Sequence, residues 1–267
     1  LGTTYAAPSA TLHVKGEGAT SSTKGLLVEN SSGSDTLVVD DAGRFALGYE
    51  CGLPSVDTSV HIGYRSSYTS QSDTLNTFVG YYTGYLNSGG TSNTFMGHNA
   101  GRFNSTADKN TFIGESAGYA TTTPCCNTYV GHNAGKNHKT SSENVMIGDS
   151  CGEGNSTELG SGSSSYNTFV GNGKGLYMAK GCNNNVAMGF RAMWGKYGTT
   201  TVGDENVAIG MNALKVFEGA SKNVALGFEA GLAVNTGSNN VLVGYEAGDS
   251  ITSGDENTII GYQADGS

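Results

Sequence analysis

The phrase Asn-(Thr/Val)-(Phe/Ala)-(Val/Ile/Met)-Gly returns down this chain at a nearly fixed step of 17 residues. Its glycines are Gly48, Gly63, Gly80, Gly97, Gly114, Gly131, Gly148, Gly171, Gly189, Gly210, Gly227, Gly244 and Gly261, so the spacings run 15, 17, 17, 17, 17, 17, 23, 18, 21, 17, 17, 17. Self-similarity at so short a period means a stack of like units, each too small to bury its own apolar face without neighbours. The thirteen copies define a repeat domain over 44–267, behind an N-terminal β meander over 1–43.

Each column of the repeat has its own chemistry. In Asn76-Thr77-Phe78-Val79-Gly80 and Asn110-Thr111-Phe112-Ile113-Gly114, three β-formers stand between Asn and Gly. A small residue and a second glycine follow, then a run such as Asn87-Ser88-Gly89-Gly90-Thr91-Ser92. This pattern predicts two short strands and two turns per repeat. Seventeen residues at about 3.3 Å each give a perimeter of at most roughly 56 Å, enough for one flattened coil of a parallel β-solenoid. At about 4.8 Å per coil, the stack is a rod on the order of 60 Å long. The Asn column becomes a ladder of amides, at positions where Asn tolerates left-handed backbone.

Forty-two glycines in 267 residues argue against long helices, since each costs roughly 1 kcal/mol inside one. The one helix-like stretch is Met211–Glu218. A net charge of −9 with 14 Lys and Arg and no basic cluster gives no source for counterion release, so nucleic acid is not an expected partner. No run approaches the roughly 18 apolar residues of a membrane helix, so membrane insertion is not expected either. The start at Leu1, without Met or a charged leader, reads as a processed or excised segment.

Two adjacent strand columns are apolar throughout: Phe78, Phe95, Phe112, Tyr129 and Phe169, and beside them Val79, Met96, Ile113, Val130 and Val170. Neighbouring strand residues point to opposite faces. One column therefore fills the coil, and the other needs cover from outside, most simply from copies of the chain around an axis. The pattern does not say which column does which. Where the first column shrinks to Ala187, Ala208 and Ala225, the residue before it changes from Thr to Val.

The phrases Asn206-Val207-Ala208-Ile209-Gly210 and Asn223-Val224-Ala225-Leu226-Gly227 resemble the head repeats of trimeric autotransporter adhesins, whose repeats build a left-handed parallel β-roll in a homotrimer. The form Asn76-Thr77-Phe78-Val79-Gly80-Tyr81 is more similar to repeats of bacteriophage tail fibres, and the likeness covers about residues 44 to 262. The stretch from Pro8 to Gly48 is similar to the β module upstream of repeats in tail fibres that end in a self-cleaving chaperone. An end at Ser267 fits such cleavage and fits an excised segment equally well. The resemblance implies a homotrimer in the virion, contacting other tail proteins and a glycan or protein receptor on the host cell. A bacterial surface adhesin, extracellular at the cell surface, is the runner-up.

The sequence points away from catalysis. It contains no phosphate loop or zinc-protease helix, and no cofactor is expected. A polysaccharide-degrading spike is the third reading, because paired carboxylates suffice for glycoside hydrolysis. Asp204-Glu205 and Asp255-Glu256 are the repeated acidic pairs, read first as solvated turn tips. His98 and His132 fall in a column otherwise rich in Tyr and Phe, so they read as stacking residues, with imidazole rings on a trimer axis as the sharper alternative. Cys51 and Cys151 take a column filled elsewhere by Ala and read as buried thiols; Cys125 and Cys126 read as solvent-facing free thiols, with a link between subunits as the alternative. The oversized coils insert 153–166 and 191–204, and insertions in solenoids emerge as loops that often bind. Tyr166, Trp194, Lys196 and Tyr197 are therefore the candidate receptor contacts.

Overall fold

A computed structural model describes residues 24–33, 35–40, 45–51, 58–69, 74–154, 164–172, 181–195, 203–216 and 218–265. Its strands are β1 (Lys24–Glu29), β2 (Asp35–Asp40), β3 (Phe45–Leu47), β4 (Val60–Ile62), β5 (Thr77–Val79), β6 (Thr94–Met96), β7 (Thr111–Ile113) and β8 (Thr128–Val130). They continue as β9 (Val145–Ile147), β10 (Thr168–Val170), β11 (Val186–Met188), β12 (Val207–Ile209), β13 (Val224–Leu226), β14 (Val241–Val243) and β15 (Thr258–Ile260). All fifteen lie in one sheet in sequence order. β1 to β3 pair antiparallel, and from β3 onward every pairing is parallel. The chain is all-β, a parallel β-solenoid of about 11 turns.

Register is set by the repeat itself. Phe78 sits opposite Phe95, Phe95 opposite Phe112 and Phe112 opposite Tyr129. Stacked rings 4.7–4.9 Å apart follow directly. A slip by one residue would turn each ring outward, so burial of this column fixes the pairing. Phe78, Phe95, Phe112 and Tyr129 are fully buried and Phe169 nearly so, whereas Val79, Met96, Ile113, Val130 and Val170 face out.

The expectation of two strands per repeat is corrected by the opposite flank. There the backbone alternates into left-handed conformation, at Asn99 (φ 59°) and Gly101 (φ 57°) for example. Hydrogen bonds between coils still run along it, from Asn99 N–H to Tyr81 O at 2.9 Å and from Gly101 N–H to Ala117 O at 2.9 Å. The flank is laddered without being extended, so one three-residue strand per coil remains. The same alternation corrects the helix-like reading of Met211–Glu218. Asn212 and Leu214 are left-handed (φ 59° and 49°), which no right-handed helix admits, and no helix occurs among the described residues.

Two glycines per coil have separate reasons. At Gly97 (φ 134°) a Cβ would lie 2.5 Å from the Gly114 carbonyl oxygen of the next coil, so the corner stacks only without side chains. At Gly101 the same atom would lie 2.5 Å from the Phe95 ring. Where the inward strand residue is Ala187 or Ala208, that second position is instead Met193 or Leu214, both fully buried and both left-handed. Core volume is thus handed from one flank to the other in these two coils, whereas the coil of Ala225 keeps Gly231, against which Leu214 and Leu242 of the neighbouring coils pack. This exchange keeps the interior filled while the strand column changes from Phe to Ala.

The Asn column is buried and forms the expected ladder. Asn110 N–H donates to Asn93 Oδ1 (2.9 Å), and Asn127 N–H donates to Asn110 Oδ1 (3.0 Å). Each side-chain amide also donates across its own turn, from Asn110 Nδ2 to Pro124 O at 3.1 Å for instance. At the first described rung, Ser59 Oγ replaces the amide oxygen and accepts from Asn76 N–H at 2.9 Å. The left-handed residue is the one before Asn, as at Lys109 (φ 56°), and not Asn itself. Asn is selected here for its bonds to the adjacent coil.

Candidate functional site

The outward face of the sheet exposes apolar side chains coil after coil. On either side of each inward residue stand Thr or Val and an aliphatic residue, so the face runs Thr94 and Met96, Thr111 and Ile113, then Val186 and Met188, Val207 and Ile209. Met96 is 45% exposed and Ile209 39%, and Ile113, Ile147, Met188 and Ile260 are exposed in the same column. The face becomes wholly apolar in β11 to β14, where Thr gives way to Val.

Along one edge of this face runs the column that follows the motif glycine. Tyr49, Tyr64 and Tyr81 stack at 5.6 and 5.0 Å, and Phe228, Tyr245 and Tyr262 at 5.0 and 5.3 Å. His98 continues the first stack, 5.5 Å from Tyr81. Each histidine meets an acid on the next coil: His98 Nδ1 lies 3.5 Å from Glu115 Oε1, and His132 Nδ1 lies 2.6 Å from Asp149 Oδ1. No group of three or more His, Cys, Asp or Glu side chains among the described residues converges as a metal site.

The acidic turn pairs are built into the scaffold. Asp204 Oδ1 accepts the Asn183 N–H at 2.6 Å, and Asp255 Oδ1 accepts the Ser238 N–H at 2.6 Å. Asp108 does the same for Thr91, and Ser142, Ser165 and Ser221 serve neighbouring rungs. A second polar ladder therefore occupies this column, more than the solvated tip read from the sequence. Glu205 and Glu256, the partners in each pair, are exposed and left-handed.

The proposed receptor residues do not gather into one place. Tyr166 is exposed on the turn before Asn167, whereas Trp194 lies on the opposite flank, five residues after its motif glycine, half-buried with the Arg191 guanidinium 5.0 Å from its ring. Lys196 and Tyr197 lie outside the described residues. Sequence reasoning missed a more concentrated group in the same column as Trp194. Tyr68 and Tyr85 stack there at 5.2 Å, Arg102 follows, and Tyr119 comes next. The Arg102 guanidinium lies 4.7 Å from the Tyr82 ring, 5.7 Å from Tyr85 and 6.0 Å from Tyr119, and it bonds Asn99 Oδ1 at 3.2 Å. Arg65 sits among Tyr64 and Tyr68 in the same way but is paired with Glu50 at 2.5 Å. The signal was present in the sequence as a fifth-position column of Tyr and Arg.

Comparison with protein-family models, curated proteins and solved structures finds no match to this chain. No helix among the described residues is long and apolar enough to cross a membrane.

Proposed function

We propose that the chain is a segment of a homotrimeric fibre of the phage tail-fibre kind, a non-enzymatic rod that displays receptor contacts in three copies. The observation that carries this reading is the apolar outward face of the sheet. It runs in register along the solenoid, and its exposed Met, Ile and Val side chains form a stripe of a kind that soluble monomers rarely leave bare. Closed rotational symmetry gives each copy the same complementary contact without open-ended growth. The thirteen sequence copies then correspond to thirteen coils per chain. A bacterial surface adhesin with the same architecture is the second reading, supported by the Val-Ala-aliphatic coils of β11 to β13.

Receptor contact would fall on the side chains displayed away from the sheet: Tyr166 and Trp194 at the oversized coils, and the Arg102 cluster. Three weak contacts on a rigid rod gain avidity from their fixed spacing. The tests separate inside from outside. Ile113→Asp, on the outward face, is expected to release folded monomers with unchanged circular dichroism, whereas Phe112→Asp, facing inward, is expected to abolish folding. A trimer that survives Ile113→Asp and Met96→Asp together would overturn the assigned interface. Trp194→Ala and Arg102→Ala are expected to weaken attachment to host cells without changing the oligomer.

A further inference from the structure

Three of the five cysteines, Cys51, Cys151 and Cys182, are buried in the core. The other two are adjacent in sequence and lie together at the turn before Asn127. Cys126 is exposed, Cys125 is half-buried, and their sulfurs are 2.8 Å apart. That separation is less than 1 Å longer than the roughly 2.0 Å of a disulfide bond.

The solenoid holds this geometry. Cys126 is left-handed (φ 66°), as are Lys109 (56°) and Glu143 (58°), which stand in the same column one coil to either side. Cys126 N–H donates to Asp108 O and Glu143 N–H donates to Cys125 O, both at 3.1 Å, while Cys125 N–H donates to Ser142 Oγ at 3.2 Å. Both thiols are thus fixed to backbone that is tied to the neighbouring coils, and the side chains converge on a frame that does not depend on them. The buried core thiols offer no alternative partner at this turn.

We propose that Cys125 and Cys126 are a redox-active vicinal pair, which closes to a small disulfide ring by exchange with a low-molecular-weight disulfide of the glutathione type. The Cys126 S–H is directed at the Cys125 sulfur, which marks Cys125 as the entering nucleophile once its own proton has passed to a solvent base. Its thiolate attacks one sulfur of the small disulfide, forming a mixed disulfide and releasing one small thiolate. Cys126 then gives up its proton and attacks the Cys125 sulfur, expelling the second small thiolate. One disulfide is reduced to two small thiols, and the two protein thiols are oxidised to one bond. Adjacent α-carbons lie about 3.8 Å apart, shorter than the 4.4–6.8 Å of ordinary disulfides, so the ring is strained and easily reduced. This site is chemically separate from the fibre reading and stands without it.

The test uses the whole chain, freed of reductant and incubated with oxidised glutathione at mildly alkaline pH. Expected is a loss of two hydrogen masses from the peptide that carries both cysteines, with both thiols shielded from iodoacetamide in the native protein and restored by dithiothreitol. Cys126→Ser should instead stop at a stable glutathione adduct on Cys125. Serine already fills the Cys126 column at Ser92, left-handed like Cys126 (φ 58°), so serine substitution there is compatible with the turn. Chains joined on a non-reducing gel, a lasting adduct on the unsubstituted protein, or thiols that stay free would each overturn the proposal.

Discussion

The exchange of volume between the two flanks of a coil makes a sharp prediction at Phe112 and Gly118. A Cβ at Gly118 would lie 2.5 Å from the Phe112 ring, and Gly118 is left-handed (φ 58°). Phe112→Ala removes a fully buried ring and should cost about 3–5 kcal/mol. Gly118→Leu forces a side chain into that ring and adds left-handed strain, for about 2–5 kcal/mol in total. Together they recreate the pairing of Ala208 with Leu214, which the chain already uses. The double variant still loses the stacks on Phe95 and Tyr129, each worth about 0.5–1.5 kcal/mol, and keeps the strain. It should nevertheless fall short of the summed single costs by at least about 2 kcal/mol. Native-state hydrogen exchange at the amides of β7 and β8 reads this locally, which suits a repeat array whose unfolding need not be two-state. Strictly additive losses would refute the argument that the two positions share one volume.

Other expectations follow from buried polar groups. Asn110→Ala strips the acceptor from the buried Asn127 N–H and the donor from the Pro124 carbonyl, and should cost about 1–3 kcal/mol by thermal or chemical denaturation. His138 is fully buried, and burial pushes its pKa down to about 4 from an ordinary 6.5. The unfolded chain therefore binds the proton more readily, so stability should fall as pH drops from about 6.5 to 4, by roughly 3 kcal/mol at 1.36 kcal/mol per pKa unit. His138→Asn, the residue found in the same column at Asn87 and Asn104, should flatten denaturation midpoints over that window.

The parallel stack was legible in the sequence because its period is short and its columns are chemically distinct; Asn, the inward residue and glycine each recur for one physical reason. The choice of inward column was not, because Phe112 and Ile113 are both apolar and hydropathy alone cannot rank them. The glycine at position 118 held the missing clue, since a residue excluded by a ring marks the side on which that ring lies. The second strand was misplaced because alternating left-handed residues such as Asn99 and Gly101 carry intercoil hydrogen bonds without extended backbone. Surface recognition was the least legible part. Arg102 and its tyrosines are distant in sequence and meet only when successive coils are stacked.

The central claim is that the outward strand face is covered by two further copies, and the most direct measurement is the mass of the purified chain in solution. Sedimentation equilibrium is expected to give about 82 kDa, three times the 27.4 kDa of one chain, and to hold on dilution into the nanomolar range. A single species at 27.4 kDa, folded and all-β, would contradict it.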